Sequence, residues 1–136
     1  MLDSSNTFSG AAATEIFEET GLKVEQKDLL DMTALAIPDA EDDDDVAVER
    51  LQRGMYTSPG GSDEFVPLFL HQRRVARGTL EEWTGKLTGL RGEGERITLR
   101  LVRLEELWRV GARDAKVLGA WALYEGLRRE GKIPDM

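Results

Sequence analysis

Cysteine is absent from this sequence and histidine occurs once. The absence of cysteine removes any disulfide framework and any thiolate zinc site. No apolar run approaches the ~18 residues that would suggest a membrane span. Net positive charge is missing too: 26 acidic residues against 18 basic ones leave a formal charge of −8. That balance argues against a nucleic-acid partner bound through a broad basic surface, which would have to neutralise phosphates. It also means that an anionic ligand must be received by something other than overall charge. A cation held by carboxylates is one physical answer, because the ion brings its own positive charge. The opening residues, Met1 to Ser5, carry neither a basic flank nor an apolar stretch. No signal peptide or membrane partner is therefore expected, and the setting reads as intracellular and cytoplasmic, with an organelle left open.

What is present suits a folded domain. The 136 residues are 40% hydrophobic and 32% charged, enough for one domain over 1–136 with a real core. A helix is expected over Phe8–Thr20, with Asn6 or Thr7 at its start and Gly21 as a left-handed stop. Its Ala13, Ile16 and Phe17 form the expected core face. Leu29–Ile37 reads as a mostly buried strand ended by Pro38. Residues 39–54 form an acidic loop; its run of four aspartates, Asp42 to Asp45, reads as solvated because adjacent like charges repel.

Ser58-Pro59-Gly60-Gly61 is a turn signature, and a strand is expected from Glu64 to His71, with Pro67 forcing an edge or a bulge. Thr79 and Glu82 have the spacing of a capping box and should open a short helix through Trp83. Glu95–Val102 alternates as a strand, with Ile97, Leu99 and Leu101 on one face. A short helix near Glu105–Arg109 and a long one over Ala115–Glu130, capped by Asp114 and ended by Gly131, complete the pattern. Helices and strands interleave, so the fold class is α/β or α+β, with helices on a mixed sheet.

Glu15, Glu18 and Glu19 stand at i, i+3 and i+4 and project from one side of the first helix. As pure structure this is a poor arrangement. Each like-charge pair costs roughly 0.2–0.5 kcal/mol, and the helix macrodipole disfavours negative charge in the last turns. The predicted helix contains no Lys or Arg. A hard dication would reverse the argument, since Mg²⁺ or Mn²⁺ seeks carboxylate oxygens. From spacing alone, a solvated acidic face and a metal-binding face both remain open.

The string Ala13-Thr14-Glu15-Ile16-Phe17-Glu18-Glu19-Thr20-Gly21-Leu22 resembles the Nudix box, G-x5-E-x7-R-E-U-x-E-E-x-G-U with U apolar. Six of the seven defined places in its second half match: Glu15, Ile16, Glu18, Glu19, Gly21 and Leu22. Thr14 stands where the family has an arginine that orients the glutamates, and Asn6 where the first glutamate belongs. The box's opening glycine would fall just before Met1, so the resemblance implies an N-terminally truncated Nudix domain. Three further stretches are similar, in order, to the ADP-sugar diphosphatase branch, its plant and fungal members above all. They are Ser58–Phe65, Thr88–Glu95, and Leu107-Trp108 with Asp114-Ala115-Lys116.

That resemblance implies an α/β/α sandwich around a mixed sheet, with the N-terminal strands missing. It implies hydrolysis of a nucleoside diphosphate sugar, such as ADP-ribose or ADP-glucose, to AMP and a sugar phosphate, with Mg²⁺ or Mn²⁺ as cofactor. Glu93 would be the base and Glu18 a second catalytic carboxylate; Glu15, Glu19 and Glu95 would hold the metal. Relatives are commonly homodimers, so a second copy is a candidate partner. Arg91 is a candidate for substrate phosphate or a partner subunit, and Glu64 for substrate or metal. The alternative is a degenerate, non-catalytic module that binds a nucleotide or a protein. His71, Arg73, Arg74, Trp83 and Trp108 read as structural or surface residues.

Overall fold

Phe8–Thr20 forms the first helix, α1, with the bounds its capping pattern predicts. The computed structural model describes residues 8–37, 53–89, 94 and 96–136. Most of the expected acidic loop lies outside them. In chain order after α1 come β1 (Leu30–Asp31), α2 (Met32–Ala36), β2 (Met55–Tyr56), β3 (Phe65–Val66) and β4 (Phe69–Leu70). Then follow α3 (Arg77–Trp83), β5 (Leu87–Thr88), β6 (Ile97–Thr98), α4 (Leu107–Val110) and α5 (Ala115–Arg129). Short 3-10 turns occupy Gln26–Asp28 and Leu104–Glu106. Helices mixed with small antiparallel sheets fit the α/β class. The chain divides into two compact units: Met1–Leu30 with Phe69–Glu106 and Met136, and Asp31–Leu68 with Leu107–Asp135.

In the first unit α1 packs on β5 and on the 3-10 turn at Gln26–Asp28. The antiparallel pair β5–β6 sets Leu87 opposite Thr98 and Thr88 opposite Ile97. Two further bonds lengthen this ribbon, Leu99 N–H to the Lys86 carbonyl (2.9 Å) and Gly85 N–H to the Leu99 carbonyl (3.0 Å). The strand expected over Glu95–Val102 is thus shorter as a ladder, and Leu101 is exposed. The helix expected from Thr79 begins two residues earlier, at Arg77. Ala76 is its N-cap and supplies no side-chain bond, so the capping box goes unused. The Arg77–Glu81 ion pair (3.5 Å) spans its first turn instead.

Among the described residues, the buried side chains belong to the second unit. Met32 and Leu127 are each 3% exposed, as is Thr33. Burying a Met or Leu fully contributes roughly 1.5–3 kcal/mol. Here one sequence expectation is corrected: Leu29–Ile37 is not a continuous strand. After the two residues of β1, Met32–Ala36 turns into a helix, because Asp31 caps it. The Asp31 Oδ1 accepts the Ala34 N–H (2.9 Å) and the Thr33 hydroxyl (2.7 Å). Thr33 Oγ1 in turn accepts the Leu68 N–H (3.2 Å), while the Met32 N–H donates to the Leu68 carbonyl (2.9 Å). Buried backbone groups beside α2 are therefore paired.

The strand expected over Glu64–His71 is split into β3 and β4 around Pro67, which has no N–H for a ladder. β2 and β3 pair antiparallel, Tyr56 opposite Phe65, with ring centroids 6.2 Å apart. The Ser58–Gly61 turn closes through the Gly61 N–H to the Ser58 carbonyl (2.9 Å). α5 packs against α2 and α4. Gly119 lets it approach Met55, whose sulfur stands where a side chain on Gly119 would begin. Asp114 caps α5 by accepting the Lys116 N–H (2.9 Å), and Gly131 follows its end.

Candidate active site

α1 carries Glu15, Glu18 and Glu19 on its solvent side, all three exposed. Ala13 and Ile16 are half-buried, as expected of the inner face. Phe17 departs from the expectation: it is 46% exposed. Its ring face instead carries the Lys23 ammonium, 5.9 Å from the centroid, a cation–π contact.

The chain leaves α1 tightly. Gly21 takes φ +73°, which residues with a Cβ rarely adopt, and its N–H donates to the Phe17 carbonyl (2.8 Å). The Thr20 hydroxyl bonds back to the Ile16 carbonyl and accepts the Leu22 N–H (3.1 Å). The helix has no basic residue in its last turn. Positive charge comes from outside instead, with Lys86 Nζ 3.6 Å from the point a Gly21 Cβ would occupy. Sequence reading missed this lysine, because no local spacing links residue 86 to residue 21.

Thr14, at the place of the family's arginine, donates its hydroxyl to the Gly10 carbonyl (3.1 Å) within the same helix. It is uncharged and turned to its own backbone, so the glutamates get no orienting cation from that position. The side-chain oxygen of Thr88, on the strand against which α1 packs, is buried without a hydrogen-bond partner among the described residues.

Glu64 lies in the second unit. It accepts the Thr57 hydroxyl (3.2 Å), and its N–H donates to Ser62 Oγ (3.1 Å). Arg91, Glu93 and Glu95 lie outside the described residues. Gly94, between the two glutamates in sequence, takes φ +84°. His71 donates through Nδ1 to the Asp28 carbonyl (3.2 Å), a structural contact. Trp108 is 44% exposed, with the Arg109 guanidinium 5.2 Å from its ring centroid.

Carboxylate oxygens are the right donors for a hard dication. Among the described residues, however, no three His, Cys, Asp or Glu side chains converge closely enough to hold one. The α1 glutamates have donor chemistry that suits a dication, but they form no closed cage among the described residues. No helix among the described residues is long and apolar enough to cross a membrane.

No family model matches the chain, and no solved structure matches it. It is similar to Nudix hydrolase 14, chloroplastic, of Arabidopsis thaliana, with 39% identity over 131 residues. The match covers 96% of this chain and 38% of the relative, so the chain spans under two-fifths of that protein's length. The aligned stretch takes in nearly the whole chain, the glutamate helix included, so what this chain resembles is one part of a Nudix hydrolase.

Proposed function

We propose that this chain belongs to a metal-dependent hydrolase that cleaves the diphosphate bond of nucleoside diphosphate sugars such as ADP-ribose or ADP-glucose. The products are AMP and a sugar phosphate. One observation carries the reading: three exposed carboxylates share one face of α1, in the spacing of the box, where folding alone disfavours them. The likeness to a Nudix hydrolase supports it.

Glu15, Glu19 and Glu95 would hold Mg²⁺ or Mn²⁺, and Glu18 sits in the same cluster. The ion supplies charge neutralisation at the diphosphate and a more acidic water. Glu93 takes the proton from the attacking water, and the water adds to phosphorus in line with the leaving oxygen. Arg91 binds a substrate phosphate as a bidentate donor, and Glu64 contacts the substrate. An α/β/α sandwich around a mixed sheet is the frame in which such a loop meets such a helix, and a homodimer is the assembly proposed for it.

The test is release of AMP from ADP-ribose and ADP-glucose in millimolar Mg²⁺. Replacing Glu93 by Gln should lower kcat about 10²–10⁴-fold, the usual worth of a positioned base. A folded sample that takes up the metal yet yields no AMP from either substrate ends the proposal.

Thr14 favours a second reading, a degenerate module that binds a nucleotide or a protein without turnover. Its hydroxyl serves the helix backbone and cannot do an arginine's work. Calorimetry separates the two readings: a binder takes up ADP-ribose and releases no AMP.

A further inference from the structure

We infer that Lys86 is the positioning residue of the glutamate helix, the external cation that holds its acidic end together while no metal is bound. The inference deepens the hydrolase reading and rests on it for its functional meaning. Three observations meet at the end of α1. Glu15, Glu18 and Glu19 crowd its second half, and the last turn holds no Lys or Arg. The carbonyls of that turn add the negative pole of the macrodipole to the same place. The Lys86 ammonium stands beside Gly21, the first residue after the helix, 3.6 Å from the position of an absent Cβ.

The backbone around Lys86 is held on both sides. Its N–H donates to the Trp83 carbonyl (3.1 Å), and its carbonyl accepts the Leu99 N–H (2.9 Å). It thus leads directly into β5, the strand on which α1 packs. Gly21 matters doubly, because a side chain there would stand in ordinary contact with the ammonium and would be strained at φ +73°. Lys23 lies near the same end, but its charge is spread over the Phe17 face. Lys86 stands at the residue that follows the helix.

Two consequences distinguish charge compensation from mere packing. The effect of Lys86 must depend on the glutamates, and a dication must relieve its loss. The experiment uses the full 136-residue chain, first freed of metal with a chelator, then titrated with Mn²⁺ alone. Without metal, Lys86→Met should lower the Tm by about 1–4 °C at low salt, the scale of one charge at a helix end. Lys86→Arg should restore it. In a Glu18→Gln/Glu19→Gln background the same Lys86→Met change should cost less than half as much. Mn²⁺ should raise the Tm of Lys86→Met by more than it raises that of the wild type.

An equal loss in both backgrounds, or no loss in either, overturns the assignment. Should Lys86→Met fail to fold, recovery of folding in the Glu18→Gln/Glu19→Gln background supports the assignment and continued failure overturns it. The hydrolase reading fails separately: if Mn²⁺ shifts neither protein, the metal site is lost, while the metal-free melts still decide the role of Lys86.

Discussion

The two long helices, α1 and α5, follow opposite rules. α5 opens on Asp114, whose carboxylate accepts a backbone N–H, and closes on Arg128 and Arg129, which suit the negative pole of its dipole. Its Leu127 lies in the core. α1 has no acidic residue in its first turn and no basic one in its last; its glutamates sit near the wrong end, in water. One helix is composed for folding. The other retains a residue pattern that folding does not explain, which is where chemistry is to be sought.

Breaking the α5 side of this contrast should give the larger effects. Leu127→Ala should cost about 2–5 kcal/mol, read by urea unfolding, because the 3% exposed side chain leaves a cavity. Gly119→Ala pits two effects against each other. Alanine gains up to about 1 kcal/mol of helix propensity, but the added carbon meets the Met55 sulfur, and overpacking costs about 1–3 kcal/mol. The clash should win, leaving a loss on the order of 1 kcal/mol by the same measurement.

Acid should loosen α5 from both ends. The Lys116 backbone N–H holds the Asp114 carboxyl below its ordinary 3.8, and the Lys132 ammonium holds Glu130 below its ordinary 4.5. Both folded-state pKa values are depressed. The stabilisation from each is therefore complete well above its own ordinary value and is lost as pH falls below that value through the folded one. Melts of Asp114→Asn should show a shallower decline of Tm over that range than the wild type.

The smallest effect belongs to α1. Glu15→Gln removes like-charge pairs with Glu18 and Glu19, and should raise metal-free stability by roughly 0.2–0.5 kcal/mol per pair. A loss of stability there would mean that the carboxylate serves the fold, and the contrast between the helices would dissolve.

The two long helices were legible in the sequence from terminal residues, whereas the Thr79 capping box misplaced the start of α3 by two residues. Thr20 before Gly21, and Asp114 before Ala115, mark ends that the structure reproduces. Met32–Ala36 was misread because an apolar run of its length suits a buried strand as well as a helix. The discriminating signal was Asp31 followed by Met-Thr-Ala, a cap whose carboxylate serves both Thr33 and Ala34. Pro67 announced its own interruption of β3–β4, but not its extent. Of the candidate site, the α1 face could be read from spacing alone. Lys86 could not, because its approach to Gly21 depends on a strand 65 positions away in the chain folding back on the helix.

The seat of the Met55 sulfur against Gly119 carries a liability of its own. A sulfoxide oxygen added on the side facing Gly119 would find no more room than a methyl group does. Peroxide exposure should therefore act on α5 as a wedge, tying the seating of the C-terminal helix to the oxidation state of one thioether.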